Sequence, residues 1–240
     1  MKIGLRAMAL MLFMAFALSC TKTEDPVVQD NSLNGHEYVD LGLPSGLLWA
    51  TCNVGAEVPE DIGGYFAWGD TATKEHYDWK SYRYGNSFDG RFEMTKYCTV
   101  SDWGLDGFVD DLTILEPSDD VATVCWGEGW RIPTKEDYEE LTQNATFVWT
   151  VQNGVGGRLF TGPNGNSVFF PVTGFFLDDQ VICPGLGIYW SSTLHSGFPE
   201  RGWSLHFDDV NYHVCGTYER CRGQVVRAAC CSSFFVSQTL

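Results

Sequence analysis

One stretch alone in this 240-residue chain carries a full helix signature, and that limits the fold more than any other feature. Thr134-Lys-Glu-Asp137 is a capping box, in which a hydroxyl and a carboxylate each satisfy a backbone N–H of the first turn. Tyr138, Leu141 and Ala145 follow at i, i+3 and i+7 and form one apolar face. A second, weaker helix is expected over residues 118–125. The remaining patterns are those of strands. Residues 37–41 alternate, and residues 167–176 are rich in Val and Phe after the turn signal Asn164-Gly165. Trp203, Leu205 and Phe207 alternate with Ser204, His206 and Asp208, so the large apolar side chains are expected in the core. Residues 224–229 read as a final buried strand. Few helices, many short strands and long loops predict an α+β domain, with two helices packed on short antiparallel sheets. No period of 20–50 residues recurs, which excludes solenoids and propellers.

The first residues are set apart. Lys2 and Arg6 precede an uncharged run over residues 7–18 that ends Ala17-Leu18-Ser19-Cys20. About a dozen apolar residues are too few to span a bilayer but suit a signal-peptide core. The small residues around Cys20 resemble a lipobox, which implies cleavage before Cys20 and a diacylglycerol on its sulfur. Residues 1–19 are then a signal peptide and 20–33 a polar tether. Residues 34–230 are the folded domain and 231–240 a tail. Glu24 and Asp25, just behind the lipid, are similar to the signal that sends some lipoproteins to the outer face of the outer membrane. Membrane contact is expected through this anchor alone.

Charge narrows the partners. Against 15 Lys and Arg stand 31 Asp and Glu, a net charge of −16. Such a surface repels nucleic acid and anionic lipid. The nine cysteines include Cys20, leaving eight whose pairing the spacing does not assign. There is no CxxC, hence no thioredoxin-like or zinc-ribbon motif.

Several segments together are specific. They are His36-Glu-Tyr-Val-Asp-Leu-Gly-Leu43, Trp49-Ala-Thr-Cys-Asn-Val-Gly55, Tyr65-Phe-Ala-Trp-Gly-Asp70 and Trp126-Gly-Glu-Gly-Trp-Arg-Ile-Pro-Thr134. Asn164-Gly-Asn-Ser-Val-Phe-Phe-Pro171, Tyr189-Trp-Ser-Ser-Thr193 and Val225-Val-Arg-Ala228 complete the set. In this order they resemble the Fibrobacter succinogenes major paralogous domain family. The resemblance implies a C-type lectin-like fold of the kind shared with formylglycine-generating enzymes; it does not imply a function. Read on their own, the Trp-Gly pairs are core aromatics beside tight turns. Arg131 and Arg227 are expected to pair with buried carboxylates. Asp119 and Asp120 read as a helix N-terminus rather than a calcium site.

Residues 194–199 and 208–218 depart from this pattern and are expected to be loops on one binding face. The ligand-binding candidates there are His195, Ser196, Phe198, Asp208, Asp209, Asn211, Tyr212, His213, Tyr218 and Arg220, a mixture suited to adaptable recognition. These two segments hold none of Met, Trp, Lys, Gln or Glu, the residues that a codon ending in a pyrimidine cannot encode. That absence resembles the variable proteins of diversity-generating retroelements. The expected ligand is a protein or glycan on another cell or phage. A fixed place in a surface assembly, as a structural or tip subunit, is the alternative. Cys215 and Cys221, ahead of Arg227-Ala-Ala-Cys230, loosely resemble the paired copper-binding cysteines of formylglycine-generating enzymes, a second alternative. His195, His206 and His213 with Asp208 lack the spacing of a metal site. No nucleophile elbow, P-loop or dinucleotide fingerprint is present, so neither a cofactor nor a catalytic residue is assigned.

Overall fold

The computed structural model describes residues 31–88 and 91–231, with the backbone alone given at Phe88 and residues 212–215. The leader, Cys20, most of the tether and residues 232–240 lie outside the described residues. In chain order the elements are β1 (Ser32–Leu33), β2 (His36–Asp40), β3 (Leu47–Ala50), β4 (Gly85–Phe88), β5 (Arg91–Met94), α1 (Val121–Trp126), β6 (Trp130–Arg131) and α2 (Lys135–Asn144). Then follow β7 (Thr146–Gln152), β8 (Val155–Thr161), β9 (Ser167–Pro171), β10 (Phe175–Leu177), β11 (Gln180–Ile182), β12 (Gly187–Leu194), β13 (Arg201–Phe207), β14 (Tyr212–Glu219) and β15 (Ala229–Cys231). The strands form five antiparallel sheets, ordered β1-β2-β3-β15-β6, β4-β5, β7-β8-β9, β10-β11 and β12-β13-β14. The class is α+β. Because Ser32 and Leu33 pair with β2 and Leu33 is buried, the domain begins earlier than Asn34, and Cys231 belongs to its last strand rather than to a tail.

The pleat explains why the core has two halves. Along β3, Leu47 and Trp49 enter a cluster with Tyr138, Phe160, Phe170 and Phe207, while Leu48 and Ala50 enter one with Trp68, Trp130 and Trp190. Alternate side chains of a strand point to opposite faces, so a strand buried on both sides reads as a continuous apolar run. β15 repeats this, with Ala229 in one cluster and Cys230 in the other.

Both helices are set by their caps. Asp120 caps α1, its Oδ1 accepting from the backbone N–H groups of Ala122 (2.9 Å) and Thr123 (3.1 Å). Its Oδ2 accepts from Ile132 N at 2.7 Å, tying the helix to the end of β6. Burial pushes this carboxyl up to about 6, against the pull of those three donors. Thr134 and Asp137 form the full capping box of α2, and Asp137 also takes Arg131 Nη1 at 2.5 Å. Asp119 accepts from Lys96 Nζ and Tyr97 Oη, each at 2.6 Å.

Three readings of the sequence need correction. The run 167–176 breaks into β9 and β10, because Pro171 has no N–H to donate and Gly174 turns at φ 64°. Residues 224–228 form no continuous ladder; isolated bridges to Phe66 and Tyr189, and bonds from Val54 N to Val226 O (2.9 Å) and Ala50 N to Ala228 O (3.0 Å), hold them before β15. Arg227 is fully buried, yet its guanidinium meets no carboxylate among the described residues. It donates to Asn53 Oδ1 (2.9 Å) and to the carbonyls of Ala50, Thr51 and Phe169.

Candidate binding site

β13 is the middle strand of its sheet and joins β12 and β14 through hairpins at its two ends. Its seven residues separate those ends by about 20 Å, at roughly 3.3 Å per residue. Residues 195–200 and 208–211 therefore cannot form the single face expected of them. Residues 212–219, expected as loop, are strand β14. Gly216 within this strand admits the His206 ring: a Cβ there would stand 2.0 Å from Cε1 and Nε2.

The β12–β13 tip is built around His195. Its Nδ1 accepts from the backbone N–H groups of Gly197 (3.2 Å) and Phe198 (3.1 Å), so the neutral ring carries its proton on Nε2. The imidazole stacks on Trp203 at 4.9 Å and lies 5.0 Å from the Phe198 ring. Thr99 Oγ1 donates to Ser196 O at 2.7 Å and ties the tip to the loop before α1. Lys135 Nζ sits 4.8 Å from the Trp203 ring centre and pairs with Glu139 at 2.9 Å. Phe198 is 54 % exposed on this pinned turn, and Ser196 is exposed beside it.

Trp203 is half-buried, not core as the alternation suggested, whereas Leu205 and Phe207 are buried. Tyr138 and Leu141 of α2 cover Leu205 and Phe207, but at the level of Trp203 the helix is only beginning, and Lys135 alone reaches it. Lys135 and Thr99 had not been picked out. The capping box could have flagged Lys135, since it fixes where the first turn starts; nothing local flags Thr99.

The opposite tip is a tight turn. Asp208 Oδ1 accepts from the backbone N–H groups of Val210 (2.8 Å) and Asn211, which hold its carboxyl below the usual range. Buried Arg158 donates to the carbonyls of Asp208 (3.0 Å) and Asn211 (3.1 Å) from beneath. Asp209, Val210 and Asn211 are exposed. Tyr218 is a half-buried strand residue whose ring packs 5.0 Å from Phe175 and 4.8 Å from His206, and burial raises its phenol. Tyr212 and His213 are placed in β14, their side chains outside the described residues.

Arg220 cannot contact a ligand. It is fully buried and donates through Nε to Tyr82 Oη (2.7 Å), through Nη1 to the carbonyls of Tyr97 (3.0 Å) and Pro199 (2.8 Å), and through Nη2 to Lys96 O (3.0 Å). The two cysteines considered for copper fare no better. Burial, then the Glu219 charge, pushes the Cys221 thiol up to about 12, so it is not a thiolate at neutral pH. Cys215 lies outside the described side chains. The seven cysteines with described side chains are free, Cys230 buried and Cys231 exposed. Among the described residues, no group of three or more His, Cys, Asp or Glu is placed to hold a metal, and no helix is long and apolar enough to cross a membrane.

Ring stacking, an exposed Phe and a nearby cation at the β12–β13 tip suit non-covalent recognition. Comparison with known protein families, with curated proteins and with solved structures gave no match.

Proposed function

We propose that this chain is a lipid-anchored protein of the outer membrane, C-type lectin-like in fold, displayed on the cell surface. It binds a protein or glycan on another cell or phage. The lipobox at Cys20 and the acidic residues behind it support the anchoring and display; the ordered motifs from His36 to Ala228 support the fold. The observation that carries the binding role is the β12–β13 tip, where Phe198 stands 54 % exposed on a turn held by His195, Trp203 and Thr99. A preorganised turn loses little entropy on binding, and a few aromatic anchors dominate most interfaces. The compositionally biased stretch after Asp208 supports diversification, since it supplies a hairpin turn and the edge strand β14 to a sheet whose other strands hold the backbone.

Labelled palmitate enters the wild-type protein and not Cys20→Ala, and protease digests the wild type on intact cells. Label retained in Cys20→Ala, or digestion only after the outer membrane is broken, overturns the anchoring and display. The tip is tested by the double variant His195→Ala/Phe198→Ala. Phe198 is exposed, and a change there usually costs within about 0.5 kcal/mol, while losing the two bonds to half-buried His195 costs about 1 kcal/mol more. The variant therefore melts within a few degrees of wild type, yet retention on intact bacterial cells in a pull-down falls at least tenfold. Undiminished retention by a folded double variant excludes the tip as the contact.

A further inference from the structure

A second opening lies away from the β12–β13 tip. Gly55 and residues 60–63 form one wall, and residues 154–156 of the β7–β8 hairpin, with Val172 and Pro184, the other, around a cleft of about 650 Å³. That volume falls within the range of about 300–1,000 Å³ that small-molecule sites occupy. The turn is Asn153-Gly154, with φ 49° and 87°, the left-handed pair of a two-residue hairpin. It holds Asn153 rigidly toward the other wall, where Asn153 Nδ2 donates to Glu60 Oε1 at 2.8 Å. Glu60 is only 9 % exposed and lines the cleft. A carboxylate and an amide are thus locked together with Oε2 left to accept from a ligand.

The rim adds an aromatic face. Trp149 is 37 % exposed, and its ring lies over Gly156, where a Cβ would stand 2.9 Å from Cζ2. Gly156 itself lines the cleft, so the indole packs against one of the lining residues. The charge of the lining then selects among ligands. Its ionisable side chains are Glu60 and Asp61, with no Lys, Arg or His. On a chain of net charge −16, this repels phosphates and other anions. A neutral molecule with many hydroxyl donors and an apolar ring face engages both features of the site: the hydroxyls bond the carboxylate–amide pair, and the C–H face covers the indole.

We propose that this cleft is a saccharide-binding site, with Trp149 as the stacking platform and Glu60 as the hydroxyl acceptor. It is separate from the β12–β13 tip and does not depend on it. The experiment titrates detergent-solubilised full-length protein calorimetrically with neutral hexasaccharides of glucose in β-1,3 and β-1,4 linkage, of mannose and of N-acetylglucosamine. At least one binds with a sub-millimolar Kd. Trp149→Ala removes the platform from an already exposed position, and Glu60→Gln is isosteric but puts a donor where the acceptor stood. Each weakens that binding at least tenfold while the melting temperature stays within a few degrees, and His195→Ala/Phe198→Ala binds the same sugar as wild type. If none of the four sugars binds, or if binding survives both cleft variants, the saccharide site is overturned. If the tip variant alone loses the sugar, the sugar belongs to the tip and the cleft assignment falls.

Discussion

Arg220→Ala lowers the unfolding free energy by roughly 4 kcal/mol. The guanidinium is fully buried, and four of its donor contacts end on Tyr82 Oη and on the carbonyls of Lys96, Tyr97 and Pro199. Truncation removes this donor from the three carbonyls in a site that water reaches poorly, while the Tyr82 hydroxyl keeps its bond to Trp68 O (2.8 Å), and each unsatisfied group costs about 1–3 kcal/mol. It also empties the space between the Trp68 and Tyr82 rings, whose centres lie 5.0 and 5.1 Å from the guanidinium carbon. Arg220→Lys recovers little, because one ammonium cannot reproduce the fork that spans segments 96–97 and 199. Urea denaturation checks this through the midpoint at constant slope. A midpoint equal to wild type would show that Arg220 is not the internal strut described. The same substitution loosens the β12–β13 tip, since Arg220 holds Pro199 O through its side chain and Glu200 O through its backbone N–H at 2.9 Å.

Gly162→Ala costs about 3 kcal/mol, at the upper end of the usual range for overpacking. A Cβ at this position would stand 1.9 Å from Leu41 O and 2.7 Å from Leu41 C. The obstacle is backbone, and the turn cannot slide away from it. Asn164 and Asn166 each donate through Nδ2 to Asp40 O, at 2.9 and 2.8 Å, and Gly162 N donates to Asn166 O at 2.9 Å. Gly165→Ala is the internal control. That glycine has φ 87° but nothing within 4 Å of its Cβ direction, so the cost is conformational alone, roughly 1 kcal/mol. At about 2–4 °C per kcal/mol for a domain of this size, thermal melting separates the two variants by several degrees. Equal melting points would mean that the turn does not rest on Leu41.

The contrast between these residues shows what local sequence can carry. Thr134 and Asp137 act within one turn of helix, so the capping box was legible, as were the Asn164-Gly165 turn and the burial of Leu205 and Phe207. Arg220 has no local mark. A lone arginine after a polar stretch resembles a surface residue, and its burial depends on carbonyls more than 100 positions away. Trp203 follows the same alternation as Leu205, and only the starting point of α2 leaves it half open. Residues 208–218 read as loop because they depart from the ordered motifs and mix polar with aromatic types, which hid β14 (Tyr212–Glu219). Once that strand is seen, the antiparallel fold-back puts the two tips at opposite ends of β13. The cleft beside Trp149 was invisible for the same cause as Arg220, because Glu60 and Asn153 meet across 93 residues.

The position of β15 governs how the molecule must be made. This three-residue strand lies between β3 and β6, so a segment ending at Cys231 separates two strands laid down before Ile132. Until that segment arrives, Trp49 sits in the β1-β2-β3 ladder while β6, with Trp130, has no ladder partner among the described residues, and nascent chains stalled at any earlier residue hold no complete five-stranded sheet. Folding therefore waits on synthesis of nearly the whole chain, its rate set by closure of a very long loop rather than by α2 or the hairpins, which form locally and early.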